Sequence, residues 1–100
     1  MEYILKATHI FRNQFDDLSK DAAKIVERKL LLAKQNPFRN KRIVGYELFL
    51  FRIRFEDQRK EKRVIYLVDK PNITVLCILD RNKGYADLRK YLMNYRQSKV

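Results

Sequence analysis

The spacing of hydrophobic residues changes along the chain, and each change predicts a different element. Residues 3–8 alternate only weakly between apolar and polar side chains and predict a short first strand. From His9 to about residue 35, apolar residues recur every three or four positions, which is typical of one face of a helix. Ser19, a favourable N-cap residue, divides this stretch. The pattern therefore predicts two helices, over residues 10–17 and 20–35.

The next part of the chain carries strand-like apolar runs. Asn36-Pro37 ends the second helix, because the residue before a proline resists the helical conformation. A basic connector then leads through Gly45 into a long strand rich in aromatic residues. Three strands are predicted, at residues 46–55, 63–68 and 73–79. Residues 56–62 contain no apolar side chain and predict an exposed loop, whereas Lys70-Pro71-Asn72 predicts a tight turn.

The last element is predicted to be a helix, because Leu88, Leu92 and Tyr95 follow Gly84 at helical spacing. The order is then strand, helix, helix, strand, strand, strand, helix. This order predicts an α+β domain spanning residues 1–100, with an antiparallel sheet of about four strands. The N-terminal helical hairpin packs on one face, and the helices are expected to be segregated to that face.

The net charge of the chain limits the classes of function that the sequence favours. The chain has 23 Lys and Arg against 12 Asp and Glu, which gives a net charge of +11. Such an excess favours binding to a polyanion, and nucleic acid is the leading candidate. A basic protein without such a partner and a protein of anionic membrane surfaces are the alternatives. No basic helix with a lipid-facing aromatic edge supports the membrane reading.

The cysteine and histidine content predicts neither a disulfide framework nor a metal site. Cys77 is the single cysteine and lies within an apolar run, so core packing is expected. His9 is the single histidine, and no second soft ligand accompanies it. We recognise no signal peptide and no membrane-spanning segment, and we expect a cytoplasmic protein that uses no metal or cofactor.

Paired arginines in the first long strand are the leading candidates for function. Side chains alternate along a strand, so Arg52 and Arg54 are predicted to share one face, opposite the face of Phe51, Ile53 and Phe55. Two further arginines flank the following apolar runs at residues 63 and 81. The sheet is therefore predicted to gather four arginines around one site.

These features together resemble the RelE/ParE superfamily of small bacterial and archaeal toxins over nearly the whole chain. The matching features are Asn36-Pro37 after the helical hairpin, Gly45 before the long strand, Arg52 and Arg54, Arg63 to Tyr66 at the next strand, and Arg81 with Tyr85. Their order and spacing are more specific than any one of them.

The resemblance implies a ribosome-dependent endoribonuclease that cuts mRNA by metal-free attack of the 2′-hydroxyl on the adjacent phosphate. It implies that Arg52 and Arg54 grip the scissile nucleotide and that Arg63 stabilises the charge of the transition state. Arg81 matches a proton donor or phosphate ligand, and Tyr85 a residue that stacks on the nucleotide. Guanidinium groups match phosphate oxygens, and an aromatic ring holds an unstacked base.

The chain departs from the best-studied members in its acid and base residues. Those members have lysines at the positions of Arg52 and Arg54, and arginine is a poor base because it keeps its proton above pH 12. A carboxylate must then act as the base, and Glu61 is the first choice. The other carboxylates nearby in sequence are Glu47, Glu56 and Asp57. No histidine follows the last strand, so Arg81 or Tyr85 is expected to replace a histidine acid.

Other basic residues are predicted to extend the RNA-binding surface. They are Arg39, Lys41, Arg42, Lys83, Arg89 and Lys90. Arg52 and Arg54 have an alternative structural interpretation, namely a solvated basic face. Arg63 has a further one, a salt bridge to Asp57 or Glu61, and Tyr66 is expected to be a core residue.

The resemblance leaves three functions open. The first is a RelE-type toxin acting on mRNA, and the second is a ParE-type toxin that inhibits DNA gyrase without a nuclease site. The third is a catalytically silent module that binds RNA or the ribosome. In the first two the partner is an antitoxin, expected to be acidic and partly disordered before binding, that contacts the predicted C-terminal helix at residues 85–95.

Overall fold

The computed structural model describes the backbone of residues 2–81 and 86–98. Within these residues the chain forms five strands and three helices. The elements are β1 (Ile4–Ala7), α1 (His9–Asp16), α2 (Lys20–Gln35), β2 (Lys41–Ile43), β3 (Leu50–Asp57), β4 (Lys60–Asp69), β5 (Asn72–Asp80) and α3 (Ala86–Ser98). The structure confirms the α+β class, and it adds one strand, β2, to those predicted.

The strands form a single mixed sheet in the order β1-β5-β4-β3-β2. The strands from β5 to β2 are antiparallel neighbours, whereas β1 runs parallel to β5 with Ile4 opposite Asn72. The prediction of a wholly antiparallel sheet is therefore wrong for β1. A parallel neighbour is reached only through a long crossover, so this pairing leaves no signal in the nearby sequence.

The two N-terminal helices begin at side-chain caps. The Thr8 hydroxyl accepts a hydrogen bond from the Phe11 amide at 3.1 Å, and the Ser19 hydroxyl accepts one from the Ala22 amide at 3.2 Å. These caps satisfy amides that lack a partner within the helix. The predicted division at Ser19 and the predicted bounds of α2 are confirmed.

Helices cover both faces of the sheet. Buried residues of α2, among them Val26, pack with Phe51, Ile53 and Phe55 on one face. On the other face Leu88 and Leu92 of α3 pack on a second buried cluster, which consists of Ile43, Leu50, Ile65, Leu67, Leu76, Cys77 and Leu79. The expectation that all helices share one face is wrong for α3. Continuous apolar runs in β4 and β5 supply side chains to both cores, which is why this sheet accepts helices on each side.

The predicted loop at residues 56–62 is a tight hairpin instead. β3 continues to Asp57 and β4 begins at Lys60, so only Gln58 and Arg59 form the turn. Both adopt left-handed backbone angles, with φ of 52° and 68°, as a two-residue hairpin turn requires. The Asn or Gly that is usual in such a turn is absent from these two positions. The ends of β3 and β4 beside the turn are polar because they extend beyond most of the core.

The predicted strand at residues 46–55 begins later than expected. Residues 44–49 are bends and irregular backbone, and Gly45 has a φ of 95°, which favours glycine. The short β2, which precedes this segment, pairs Ile43 with Leu50. Two of its three residues are charged, so its sequence lacks a strand pattern.

Cys77 is fully buried, as predicted, in the core beneath α3. Burial, with a smaller contribution from Asp87, raises the pKa of its thiol to about 12. Among the described helices, none is long and apolar enough to cross a membrane.

Candidate nucleic-acid interface

The alternation of β3 separates its arginines from its aromatic residues as predicted. Phe51, Ile53 and Phe55 are buried beneath the helical hairpin. Arg52 is half-buried and Arg54 is exposed, and strand geometry directs both to the face on which α3 packs.

Arg54 and Arg63 form a cross-strand pair on that face. They lie directly opposite each other in the register of β3 and β4, and opposed side chains of antiparallel strands are close neighbours. Like charges in this arrangement destabilise a sheet. An anion bound between the two guanidinium groups would offset that cost.

Glu61 and Arg81 form an ion pair next to this cross-strand pair. A guanidinium nitrogen of Arg81 lies 2.9 Å from a carboxylate oxygen of Glu61, and the Arg81 side chain is 67% exposed. Glu61 lies two residues from Arg63 on the same strand, so both face the same way. The ion pair therefore holds Arg81 beside Arg63 and places a carboxylate within the cationic cluster.

The remaining candidate bases lie in different places. Glu56 is directly opposite Glu61 and shares its face. Asp57 is buried on the other face, where one carboxylate oxygen accepts a hydrogen bond from the Ser19 amide at 3.4 Å. A negatively charged side chain near the start of a helix is stabilising, so Asp57 stabilises the start of α2. The alternative of a salt bridge between Arg63 and Asp57 is not compatible with these opposite faces.

The basic connector contributes its side chains to both faces of the sheet. Lys41 lies opposite Arg52 and shares its face. Arg42 lies on the other face, where its guanidinium carbon is 4.5 Å from the centre of the Phe49 ring. Arg39, in the loop before β2, lines a cavity of about 290 Å³ together with Arg52. The structure therefore brings Lys41 and Arg39 to the arginine cluster but not Arg42.

Tyr66 holds the loop that carries Arg39. Its hydroxyl donates to the Pro37 carbonyl at 2.5 Å and accepts from the Asn40 side-chain amide at 3.0 Å. Its ring is fully buried and stacks on Phe51 with the ring centres 5.4 Å apart. Burial raises the pKa of Tyr66, opposed by the Asn40 hydrogen bond. The core role predicted for Tyr66 is confirmed, and its hydroxyl has the added task of fixing the loop.

Gln14 of α1 is hydrogen-bonded to Ile78, near the end of β5 that precedes Arg81. Its side-chain oxygen accepts from the Ile78 amide at 2.6 Å, and its nitrogen donates to the Ile78 carbonyl at 2.9 Å. The same nitrogen lies 3.4 Å from the Tyr91 hydroxyl of α3. One side chain thus connects α1, β5 and α3.

Two predicted site residues, Lys83 and Tyr85, lie outside the described residues. Arg89 and Lys90 are exposed on α3. The sequence reasoning did not identify Lys29 or Asn40, which line the same cavity as Arg39. A signal for Lys29 exists, because it falls on the apolar stripe of α2, three residues after Val26 and four before Ala33.

Comparison with known proteins gives matches in structure only. No protein-family model matches the sequence, and no curated protein matches it. A mutant of the E. coli toxin RelE in its free state aligns over 95% of this chain and 98% of its own, with a TM-score of 0.76 and 13% identity.

Two complexes are also similar. RelE in the intact E. coli RelBE toxin–antitoxin complex aligns over 78% of this chain and 95% of its own, at a TM-score of 0.68 and 17% identity. The archaeal RelE–RelB complex from Pyrococcus horikoshii OT3 aligns over 84% of this chain and 100% of the matched chain, at a TM-score of 0.63 and 19% identity. The chain therefore has the fold of the RelE toxins.

Proposed function

We propose that this protein is a toxin of a toxin–antitoxin pair that cleaves mRNA on the ribosome. The observation that carries the proposal is the cross-strand pair of Arg54 and Arg63. Together with the neighbouring Arg81, these arginines form a compact cationic site on a chain with the RelE fold. Guanidinium groups bind phosphate oxygens in pairs, so the site suits a phosphodiester.

In the proposed reaction the 2′-oxygen of a nucleotide attacks the adjacent phosphorus. The 2′-hydroxyl loses its proton to a base, the bond from phosphorus to the 5′-oxygen breaks, and that oxygen takes up a proton. The products are a 2′,3′-cyclic phosphate and a 5′-hydroxyl end. Arg54 and Arg63 neutralise the negative charge that develops on the phosphate oxygens, which is the largest contribution expected from such a site.

The proposal assigns the base to Glu61. Its carboxylate lies in the cationic cluster, within contact of Arg81, and arginines at positions 52 and 54 cannot accept a proton at neutral pH. Arg81 binds the phosphate or, with Tyr85, supplies the proton to the leaving oxygen. Tyr85 is proposed to stack on the nucleotide. Arg39 and Lys41 of the connector and the basic residues of α3 are proposed to hold the flanking RNA.

The proposed regulator is an antitoxin protein that covers the basic face. The net charge of +11 favours an acidic partner. Two of the structurally similar chains are RelE proteins in complex with RelB. The α3 helix is the proposed point of contact, because it packs on the same face of the sheet as the arginines.

A second candidate function is binding to RNA or the ribosome without cleavage. The observation that favours it is the ion pair between Glu61 and Arg81. One carboxylate oxygen of Glu61 is in contact with the Arg81 guanidinium group, so the ion pair competes with a 2′-hydroxyl for that oxygen.

The proposal is tested by adding the purified protein to ribosomes programmed with a defined mRNA and mapping new 5′ ends by primer extension. The expected result is cleavage within the codon at the A site and no cleavage of the same mRNA without ribosomes. Binding to programmed ribosomes without new ends would establish the second candidate instead. Inhibition of DNA supercoiling by gyrase, with intact mRNA, would overturn both.

A further inference from the structure

A cavity of about 290 Å³ opens at the edge of the sheet, beside the cationic cluster. Among the described residues that line it, four are cationic and none carries a carboxylate. The lining residues are Lys29, Leu32, Arg39, Asn40, Arg52, Ile53 and Arg54. They come from α2, from the loop before β2 and from β3, so three separate segments converge on this point.

The cavity lies where β2 stops short along β3. The described pairing of β2 with β3 covers residues 50–52 only, although β3 continues to Asp57. Lys29 of α2 reaches over this outer edge, and its ammonium group donates to the Arg54 carbonyl at 2.6 Å. This solvent-exposed hydrogen bond places the ammonium group at the strand edge.

The opposite wall of the cavity is also held in place. Asn40 donates to the Tyr66 hydroxyl, which in turn donates to the Pro37 carbonyl. The two hydrogen bonds tie both sides of Arg39 to a fully buried ring. The wall that carries Arg39 is therefore anchored in the core.

Four cationic side chains converge on one cavity, and an anion bound there would lower their mutual repulsion. Two of them are arginines of β3, and one is a lysine of α2 that is hydrogen-bonded to the same strand. They therefore offer hydrogen-bond donors from several directions. We infer that this cavity binds a phosphate group of single-stranded RNA, next to the scissile phosphate along the strand. The inference rests on the proposed function only in naming the neighbouring phosphate as the scissile one. Binding of RNA in the cavity does not require that the RNA is cut.

The cavity lies on the outer side of Arg54, whereas Arg63 and Arg81 lie on its inner side, toward β4 and β5. Neighbouring strands lie about 4.8 Å apart, so the outer edge of β3 is about 10 Å from β5, after which Arg81 follows. The RNA then crosses the sheet from the β3 edge toward β5. Arg54 lies between the two phosphate positions, since it lines the cavity and is also opposite Arg63.

The inference is tested by measuring the affinity of a short 2′-O-methyl oligoribonucleotide, which cannot be cleaved, over a series of salt concentrations. Log K falls as log salt rises, and each lost phosphate contact on a single strand makes this negative slope shallower by about 0.7. We expect this loss for Arg39→Ala and for Lys29→Met. The control is Arg28→Ala, an exposed arginine of α2 outside the cavity lining, which should keep the wild-type slope.

Unchanged slopes for both cavity variants would overturn the inference. It would also be overturned if Arg39→Ala weakened binding of a poly-glutamate peptide but not of the oligoribonucleotide, because the cavity would then serve an acidic protein segment. Melting temperatures show whether Lys29→Met is still folded, and Arg39→Ala carries the test if it is not. This assay uses no ribosomes and measures no cleavage, so its result is independent of the cleavage test.

Discussion

Arg54 and Arg63 lie directly opposite each other in neighbouring antiparallel strands, with Arg52 two residues away on the same face. We expect Arg54→Gln to stabilise the ligand-free protein by about 0.2–1 kcal/mol, because it relieves repulsion across the strands. The same change should weaken RNA binding. Urea unfolding and RNA titration of one preparation measure both effects.

The matched control is Arg12→Gln, which removes a positive charge from an exposed position on α1. It lowers the net charge equally but leaves the cross-strand pair intact. If Arg12→Gln stabilised the protein as much as Arg54→Gln, the benefit would come from net charge, and the account of the cross-strand pair would be wrong.

Glu61→Gln should lower the rate of cleavage on the ribosome by about 100-fold or more, the usual contribution of a general base. Glu56→Gln is the control, because Glu56 lies directly opposite on the same face and is not the proposed base. The rate constant is measured with saturating protein in a single turnover. A loss below tenfold for Glu61→Gln, or an equal loss for both variants, would remove Glu61 from the role of base.

Tyr66→Phe should destabilise the protein by about 1–3 kcal/mol, because the Pro37 carbonyl and the Asn40 amide both lose a buried partner. Denaturant unfolding measures the loss. Tyr46→Phe is the control, since this half-buried tyrosine lies outside the hydrogen-bonded group. Equal stability of the two variants would show that the Tyr66 hydroxyl does not hold the loop.

Cys77 should react with thiol reagents only when the protein opens. A pKa of about 12 leaves roughly one thiol in 10⁴ ionised at pH 8, and the side chain is fully buried. Labelling with a chromogenic disulfide reagent at pH 8 should be slow in buffer and rapid in denaturant. Rapid labelling in buffer would contradict the position of Cys77 in the core beneath α3.

The elements that could be predicted from the sequence are those whose signals are local. Ser19 caps α2 and Pro37 follows its end, so the bounds of that helix were predicted correctly. The alternation of Phe51 and its neighbours with Arg52 and Arg54 likewise placed the arginines on one face. A period of two leaves no other arrangement once the strand forms.

The elements that were missed depend on distant partners. α3 packs on a second apolar face of the sheet. The apolar runs of β4 and β5 are unbroken, so their sequences do not show which face α3 covers. The hairpin at Gln58 and Arg59 uses residues without the usual turn preference. The position of Lys29 on the apolar stripe of α2 indicates that it faces the sheet, but its contact with β3 depends on where α2 crosses the sheet.

The most direct test of the central claim is the chemistry of the ends left in cleaved mRNA. Transesterification at the arginine site predicts a 2′,3′-cyclic phosphate on the upstream fragment and a 5′-hydroxyl on the downstream fragment, both identified by mass spectrometry after cleavage on programmed ribosomes. Upstream fragments ending in a 3′-hydroxyl, with 5′-phosphates downstream, would contradict the account, because water rather than the 2′-hydroxyl would then have attacked the phosphate.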